Sequence, residues 1–114
     1  REVMSWSSGL CLKIVRGQQQ GLVLPLHTRS VMLGRATSQG ESAEGFLFFY
    51  EATVSRQHAE LCWDERKKSY VLHQRSQTNK TLVNNFPVES KTPRPLVPGD
   101  TIQMGLLILS LESA

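Results

Sequence analysis

The amino-acid sequence predicts an all-β fold, a sandwich of packed sheets. About ten short β-type runs follow one another along the 114 residues, at the spacing of roughly 8–12 residues that is typical of sandwiches. Turn-forming residues separate most of these runs, and no stretch shows apolar residues at a convincing helical period. The chain is long enough for one domain with one hydrophobic core.

The predicted strands are either runs in which apolar and polar residues alternate or short apolar runs bounded by turn residues. Residues 10–16 ("LCLKIVR") and 58–64 ("HAELCWD") alternate, as strands with one face in the core do. Residues 46–50 ("FLFFY") are all apolar, which predicts a strand buried on both faces. In chain order the predicted strands are 10–16, 22–26, 30–34, 46–50, 58–64, 70–74, 81–85, 86–90, 101–105 and 106–112.

Three interruptions of these runs carry further predictions. Pro25 and Pro87 fall inside predicted strands, so we expect them on sheet edges or at bulges, where no ladder hydrogen bond is lost. The charged segment 65–69 ("ERKKS") is expected to form a solvated hairpin tip. The segment 98–100 ("PGD") is expected to form the turn before the last two strands.

Composition narrows the possible functions. The formal net charge of +3 favours an anionic partner only weakly, and no apolar run approaches the ~18 residues of a transmembrane helix. Cys11 and Cys62 lack the spacing of a metal site, and reduced, buried thiols are favoured, with a single disulfide as the alternative. Because the chain begins at Arg1 without a signal-like segment, we expect a domain from a longer protein. No cofactor and no metal are predicted.

The polar residues that follow strands are the candidates for function, because loops at one end of a sandwich commonly carry it. These candidates are Arg35, Ser55, Arg56, Thr78 and Asn79. Arginine offers a planar fork of donors that matches phosphate or carboxylate oxygens, and the hydroxyl and amide groups add further donors. No carboxylate is among them. The set suits a dianion such as phosphate, with Asn79 left to bind a peptide backbone.

Two other classes of function, hydrolysis and nucleic-acid binding, fit the sequence less well. Ser55 and His58 are three positions apart, but a hydrolase would also need an orienting acid and an oxyanion hole, for which the sequence offers no candidate. We therefore predict no enzyme activity and no catalytic residue. Nucleic-acid binding would rest on the modest charge and the basic run 66–68, without interleaved aromatic residues, and is not favoured.

Four motifs, in this order, resemble the signature of forkhead-associated (FHA) domains: "LGR", "VSRQHAEL", "TNKTLVN" and "PGDTIQMG". The resemblance covers nearly the whole chain, and it divides the sequence into an N-terminal flank of residues 1–9 and a domain of residues 10–112. It implies a β-sandwich of about eleven mostly antiparallel strands, with functional loops at one end. It further implies an intracellular module that binds phosphothreonine in partner proteins, without a nucleic-acid or membrane partner.

The resemblance also implies a role for each candidate. Arg35 would contact the phosphate through its guanidinium group and Ser55 through its hydroxyl. Arg56 would contribute its backbone N–H, with its side chain as a further possible contact. Thr78 would lie close to the phosphate, and Asn79 would hydrogen-bond the peptide main chain beside the phosphothreonine.

Two more residues resemble structural residues of the family, and two depart from its pattern. Gly34 would provide a tight bend, and His58 would tie the Ser55 loop to the neighbouring strand. Lys80 stands where the family usually has glycine; it would either cost about 1 kcal/mol at a position with positive φ or add a cation to the binding site. Gln74 replaces the usual acid, so we expect the following loop to be braced differently.

The segment between Arg35 and Phe46 is the third departure, because it is several residues longer than usual. Its acids Glu41 and Glu44 would either repel acidic ligands or select basic ones. The alternative to phosphothreonine recognition is a degenerate FHA domain that uses its surface for phosphate-independent contacts or self-association, a reading that Lys80 favours.

Overall fold

The computed structural model describes residues 6–38 and 40–114, and within them the chain forms eleven β-strands and no helix. Most strands coincide with the runs expected from alternation. The strands are β1 (Leu10–Arg16), β2 (Val23–Pro25), β3 (Ser30–Arg35), β4 (Phe46–Phe49), β5 (Ala59–Asp64), β6 (Ser69–Gln74), β7 (Thr81–Val83), β8 (Phe86–Pro87), β9 (Arg94–Pro95), β10 (Thr101–Met104) and β11 (Leu107–Ser113).

The strands are arranged in two sheets. The six-stranded sheet has the order β2-β1-β11-β10-β7-β8, and the five-stranded sheet has the order β4-β3-β5-β6-β9. The strand pairs are antiparallel except for β3 and β4, which run parallel. The prediction of an all-β sandwich of mostly antiparallel strands is confirmed.

The core lies between the two sheets and follows from the period of two along each strand. In β1, Leu10, Leu12 and Ile14 are buried while Lys13 and Val15 are exposed, and Cys11, which is buried as well, is the exception to the alternation. Leucines of β3, β5 and β6 face them from the other sheet and are equally inaccessible. Each such side chain contributes about 1.5–3 kcal/mol by leaving water, so this layer fixes the scaffold from which the loops project.

Several finer expectations are confirmed. Pro25 lies in β2 and Pro87 in β8, and these are the two edge strands of the six-stranded sheet. Residues 65–68 form the exposed turn between β5 and β6. Cys11 and Cys62 are both free thiols, so the alternative of a disulfide is wrong; Cys11 is buried as expected, but Cys62 is only half-buried.

Two expectations about strands are wrong. The run 46–50 was expected to be buried on both faces, but β4 is an edge strand in which Phe49 alone is fully buried. Its apolar character has another cause, because Phe46 and Phe48 stack on each other with ring centroids 4.1 Å apart. The short strand β9 was not predicted, since two residues, one of them a proline, leave no alternating pattern.

The residues just before β1 pack on the body of the sandwich. Trp6 meets Trp63 edge to face at 5.1 Å, and the Ser8 hydroxyl donates a hydrogen bond of 2.8 Å to the Leu26 carbonyl. Both tryptophans thus serve in packing. No helix long and apolar enough to span a membrane occurs in residues 6–38 or 40–114.

Candidate functional site

Three segments meet at one end of the sandwich and bring together the candidates from the sequence. They are the end of β3, the loop before β5 (residues 50–58) and the loop between β6 and β7 (residues 75–80). The Arg35 N–H donates to the Ser55 carbonyl at 3.0 Å, which joins the first two segments. The N–H groups of Arg75 and Ser76 both donate to the His58 carbonyl at 3.0 Å, which joins the second and third. Backbone hydrogen bonds therefore fix the relative positions of the candidate side chains.

Gly34 allows the first of these junctions. A Cβ atom placed on Gly34 would overlap the carbonyl oxygen of Arg56, so only glycine lets the backbone of the 50–58 loop approach β3 this closely. Its φ is not positive, so the expected role in a tight bend is wrong. The requirement for glycine is one of space.

Arg35 lies half-buried at the end of β3. Its Nη1 group donates a 2.7 Å hydrogen bond to the Val54 carbonyl, which holds one side of the guanidinium plane. The side chain lines a cavity of about 180 Å³ that it shares with Arg56, Glu41, Phe46 and others. Two arginines and one carboxylate, that of Glu41, line this cavity, so its net charge favours an anion.

His58 holds the 50–58 loop against the 75–80 loop. The ring is fully buried, its Nδ1 accepts the Ser55 N–H at 3.0 Å, and its Nε2 lies 2.8 Å from the Lys80 carbonyl. Since a carbonyl can only accept, the proton must be on Nε2 and the ring is neutral. Burial lowers the pKa of His58, and the Lys80 carbonyl opposes that shift only in part. Both ring nitrogens are occupied by backbone groups, so neither can take a proton from the Ser55 hydroxyl.

A cluster of short polar side chains organises the 75–80 loop around Ser55. The Ser55 and Ser76 hydroxyl oxygens are 2.7 Å apart, and the Asn79 Nδ2 group donates to the Ser55 Oγ at 2.7 Å. The Ser76 Oγ also accepts the backbone N–H groups of Thr78 at 3.2 Å and Asn79 at 2.9 Å. Ser76 was missed in the sequence, although a serine two and three residues before unpaired N–H groups is a known turn-forming pattern.

Gln74 stabilises the same loop through its side-chain amide. Its Nε2 group donates to the carbonyls of Ser76 at 2.9 Å and Asn79 at 2.7 Å. A carboxylate has no hydrogen to donate and could not make these two bonds. The different bracing expected from Gln74 is therefore what the structure shows.

Lys80 is exposed and its backbone is unstrained. Among the described residues, the non-glycine residues with positive φ are Lys68, Asn84 and Asn85. The expectation of strain at Lys80 is therefore wrong, and its carbonyl instead accepts the hydrogen bond from His58. Lys80 lines a cleft of about 650 Å³ together with Thr78 and Asn79, and none of these three is among the residues that line the Arg35 cavity.

The long segment after Arg35 turns one of its two acids inward. The Glu41 carboxylate accepts the Thr37 N–H at 2.6 Å, the Thr37 hydroxyl at 2.9 Å and the Ser38 N–H at 3.4 Å. These hydrogen bonds, led by that of the Thr37 backbone, lower the pKa of Glu41, with a smaller contribution from Arg56. Glu44 remains exposed. Glu41 therefore serves to fold its own loop.

The assembled site consists mainly of donors. Arg35 and Ser55 are half-buried, while Arg56, Thr78 and Asn79 are exposed around them. Residues 6–38 and 40–114 contain no group of three or more His, Cys, Asp or Glu side chains that could hold a metal ion. The chemistry available here is hydrogen bonding to an anion and to groups beside it.

The family model described as the FHA domain matches residues 31–105. No curated protein sequence matches this chain. Among solved structures, an FHA domain of a hypothetical protein from Arabidopsis thaliana has a TM-score of 0.77 at 21% identity, over 100% of this chain and 93% of that one.

Two further solved structures are more similar in sequence. The FhaA FHA domain, solved in complex with the intracellular domain of Rv3910, is 28% identical with a TM-score of 0.67, over 90% of this chain and 99% of that one. An FHA domain from an analysis of phosphothreonine-dependent FHA domain interactions is also 28% identical, with a TM-score of 0.68, over 92% of this chain and 96% of that one.

Proposed function

This chain belongs to the FHA domain family, and we propose that it is a phosphopeptide-binding module that recognises phosphothreonine in partner proteins. The observation that carries this proposal is the convergence of Arg35, Ser55 and Asn79 at one end of the sandwich, linked through backbone and side-chain hydrogen bonds. The proposed partner is an intracellular phosphoprotein, and no nucleic acid, membrane, metal or cofactor is required.

The phosphate fits this site for electrostatic reasons. A phosphothreonine carries a charge near −2 and three acceptor oxygens. Arg35 would supply the charge-assisted hydrogen bonds, Ser55 a hydroxyl donor and Arg56 its backbone N–H, with its guanidinium beside the same cavity. Thr78 would approach the phosphate from the neighbouring cleft, which it lines together with Asn79 and Lys80. The exposed Lys80 would contribute only a screened attraction.

Asn79 is suited to the peptide main chain. Its Nδ2 group donates to Ser55, which orients the amide, and the residue is exposed. The Oδ1 atom would then accept an N–H group of the residue next to the phosphothreonine. A backbone contact of this kind contributes affinity without selecting a flanking sequence. Gly34 and His58 would act through the backbone that they hold in place.

Two alternatives lose support from these contacts. Catalysis by Ser55 and His58 is disfavoured because the imidazole is occupied on both sides by backbone groups. The degenerate alternative was favoured by Lys80 in place of glycine, and the φ of Lys80 is not positive, so glycine is not needed at this position.

Calorimetry with four peptides of one sequence tests the proposal. The sequence is selected from an oriented phosphothreonine library, and the four peptides carry phosphothreonine, phosphoserine, aspartate or unmodified threonine at the same position. We expect the phosphothreonine peptide to bind best and the phosphoserine peptide to bind about fourfold more weakly, which corresponds to one buried methyl group at about 0.8 kcal/mol. The aspartate and unmodified peptides should bind poorly, because a carboxylate has less charge and fewer acceptors. Equal affinity for all four peptides would refute phosphothreonine recognition.

A further inference from the structure

The hydrogen bonds around Ser76 determine where its own hydrogen goes. The Ser76 Oγ accepts from the N–H groups of Thr78 and Asn79, so both of its lone pairs are used. Its hydroxyl hydrogen must therefore be donated. The Ser55 Oγ, at 2.7 Å, is a much better acceptor than the Thr78 hydroxyl at 3.4 Å.

The same count can be made at Ser55. Its Oγ accepts from Ser76 and, at 2.7 Å, from the Asn79 Nδ2 group, which again uses both lone pairs. Only its hydrogen is left, and no other described residue is within hydrogen-bonding distance of this oxygen. The Ser55 hydroxyl can then act towards a ligand in one way, as a donor.

We infer that Ser76 is a positioning residue that orients the Ser55 hydroxyl as a donor and thereby selects ligands that present only acceptors, such as a dianionic phosphate. This inference rests on the proposed function, and it adds a residue that would not touch the ligand. An unconstrained serine hydroxyl rotates and can donate or accept. Fixing its direction before binding removes the cost of reorientation when the anion arrives.

Ser76 also explains why the loop is shaped as it is. Its Oγ accepts two backbone N–H groups that would otherwise be unpaired. The Gln74 amide donates to the carbonyls of Ser76 and Asn79 in the same loop. The loop is thus fixed by both its donors and its acceptors. A structural role and a role through Ser55 coexist here, so the test must separate them.

A double-mutant cycle with Ser55 separates the two roles. The phosphothreonine peptide would be titrated into the wild type, Ser55→Ala, Ser76→Ala and the double variant, with melting temperatures measured in parallel. We expect Ser76→Ala to weaken binding about fivefold to tenfold in the wild type. In the Ser55→Ala background the same change should weaken binding by less than about twofold, because the hydroxyl that Ser76 orients is gone.

Two further variants serve as controls. Ser76→Thr keeps the hydroxyl and should restore most of the affinity lost in Ser76→Ala. Ser90→Ala removes an exposed hydroxyl from the cleft that the 75–80 loop lines, and it should leave the affinity unchanged because Ser90 is outside the hydrogen bonds around Ser55 and Ser76. Loss of affinity in Ser90→Ala would show that hydroxyl deletions in this region act non-specifically, and it would overturn the assignment.

The outcomes distinguish this inference from the proposed function. Unchanged affinity in Ser76→Ala, or an equal loss in both backgrounds, would overturn the positioning role while phosphopeptide binding by the wild type stood. A wild type that bound neither the phosphopeptide nor inorganic phosphate would refute the proposed function and the ligand selection together. Amide hydrogen exchange of Thr78 and Asn79 needs no ligand, and exchange unaltered by Ser76→Ala would refute the network itself.

Discussion

The two loops that build the candidate site are held by different means. Besides backbone hydrogen bonds, the 50–58 loop is tied to the 75–80 loop by one buried ring, that of His58, which bonds backbone atoms of both loops. The 75–80 loop is held by two small polar side chains, Ser76 and Gln74, which bond four backbone groups of their own loop. The first arrangement ties a loop to its neighbour, and the second gives a loop its own shape.

This difference indicates which residues contribute mainly to stability and which mainly to binding. Removing His58 empties a buried space and leaves two part-buried backbone groups without their partner, which costs free energy of folding. Removing Ser76 or the amide of Gln74 affects an exposed loop, which can relax towards water. We therefore expect changes at His58 to appear mainly in stability and changes in the 75–80 loop mainly in binding.

The largest effect is expected for His58→Ala. The Ser55 N–H and the Lys80 carbonyl would lose their partner, and the free energy of unfolding should fall by about 2–4 kcal/mol. This corresponds to a melting temperature lower by roughly 10 °C. Calorimetric melting measures it, with the exposed His27→Ala as a control that should change nothing. An unchanged melting temperature together with lost binding would assign His58 to the ligand instead.

The next largest effect is expected for Arg35→Ala, and it concerns phosphopeptide affinity more than stability. The loss of charge-assisted hydrogen bonds to phosphate, each typically ~1.5–3 kcal/mol, should weaken phosphopeptide affinity at least about tenfold. Isothermal titration of the folded variant measures this, and Arg16→Ala, at an exposed position at the end of β1, is the control. If the variant were folded and bound with wild-type affinity, Arg35 would not belong to the site.

Gln74→Glu tests how the 75–80 loop is braced. The carboxylate would face the carbonyls of Ser76 and Asn79 without a hydrogen to donate, and we expect a loss of about 1–2 kcal/mol in stability. Gln77→Glu adds the same charge at an exposed position of the same loop and controls for electrostatics. Equal melting temperatures of the two variants would show that the Gln74 bonds contribute nothing.

The pH dependence of stability should also report on His58. Its pKa is lowered by burial in the folded state, so the stabilisation is complete above the unfolded value of about 6.5 and is lost as pH falls below it towards the folded value. Carboxyl groups with lowered pKa, such as Glu60, lose their contribution only below about pH 4.3. Denaturant unfolding between about pH 7 and 5 isolates the histidine. Constant stability across that range would contradict a buried neutral ring.

The smallest effect is expected for Lys80→Gly. With no strained φ to relieve, glycine should lower stability by up to about 1 kcal/mol through backbone entropy. Affinity should fall modestly and become less sensitive to salt, because a screened cation is removed. Lys80→Gln removes the charge alone, so comparing both variants at two salt concentrations separates the two causes. A rise in melting temperature for Lys80→Gly would show that the lysine was strained after all.

The fold was largely predictable because the alternation of apolar and polar residues along the chain indicates which side chains of a strand are buried. The strand β1 and the edge positions of Pro25 and Pro87 follow from local rules of hydrogen bonding and side-chain direction. The environment of Phe46 and Phe48 could not be predicted from local rules. Whether an apolar strand lies in the middle or at the edge of a sheet depends on distant residues.

The candidate site was predictable only in part. Arg35, Ser55 and Asn79 could be named from motifs, and the structure brings them together. Ser76 could not, because a serine in a loop is common, and its importance comes from a neighbour 21 positions earlier in the chain. The reason for Gly34 was likewise hidden, since the atom that excludes a side chain there belongs to Arg56.

The close approach at Gly34 has a consequence for heritable variation. Every other encoded residue carries at least a Cβ or an equivalent atom, so every missense change at this codon would push the 50–58 loop away from β3. Val54 and His58 of this loop are fully buried, so the displacement would disturb the packing of the sandwich as well as the site. Missense variants at Gly34 are therefore expected to lower both the abundance of the protein and its ability to recognise a partner.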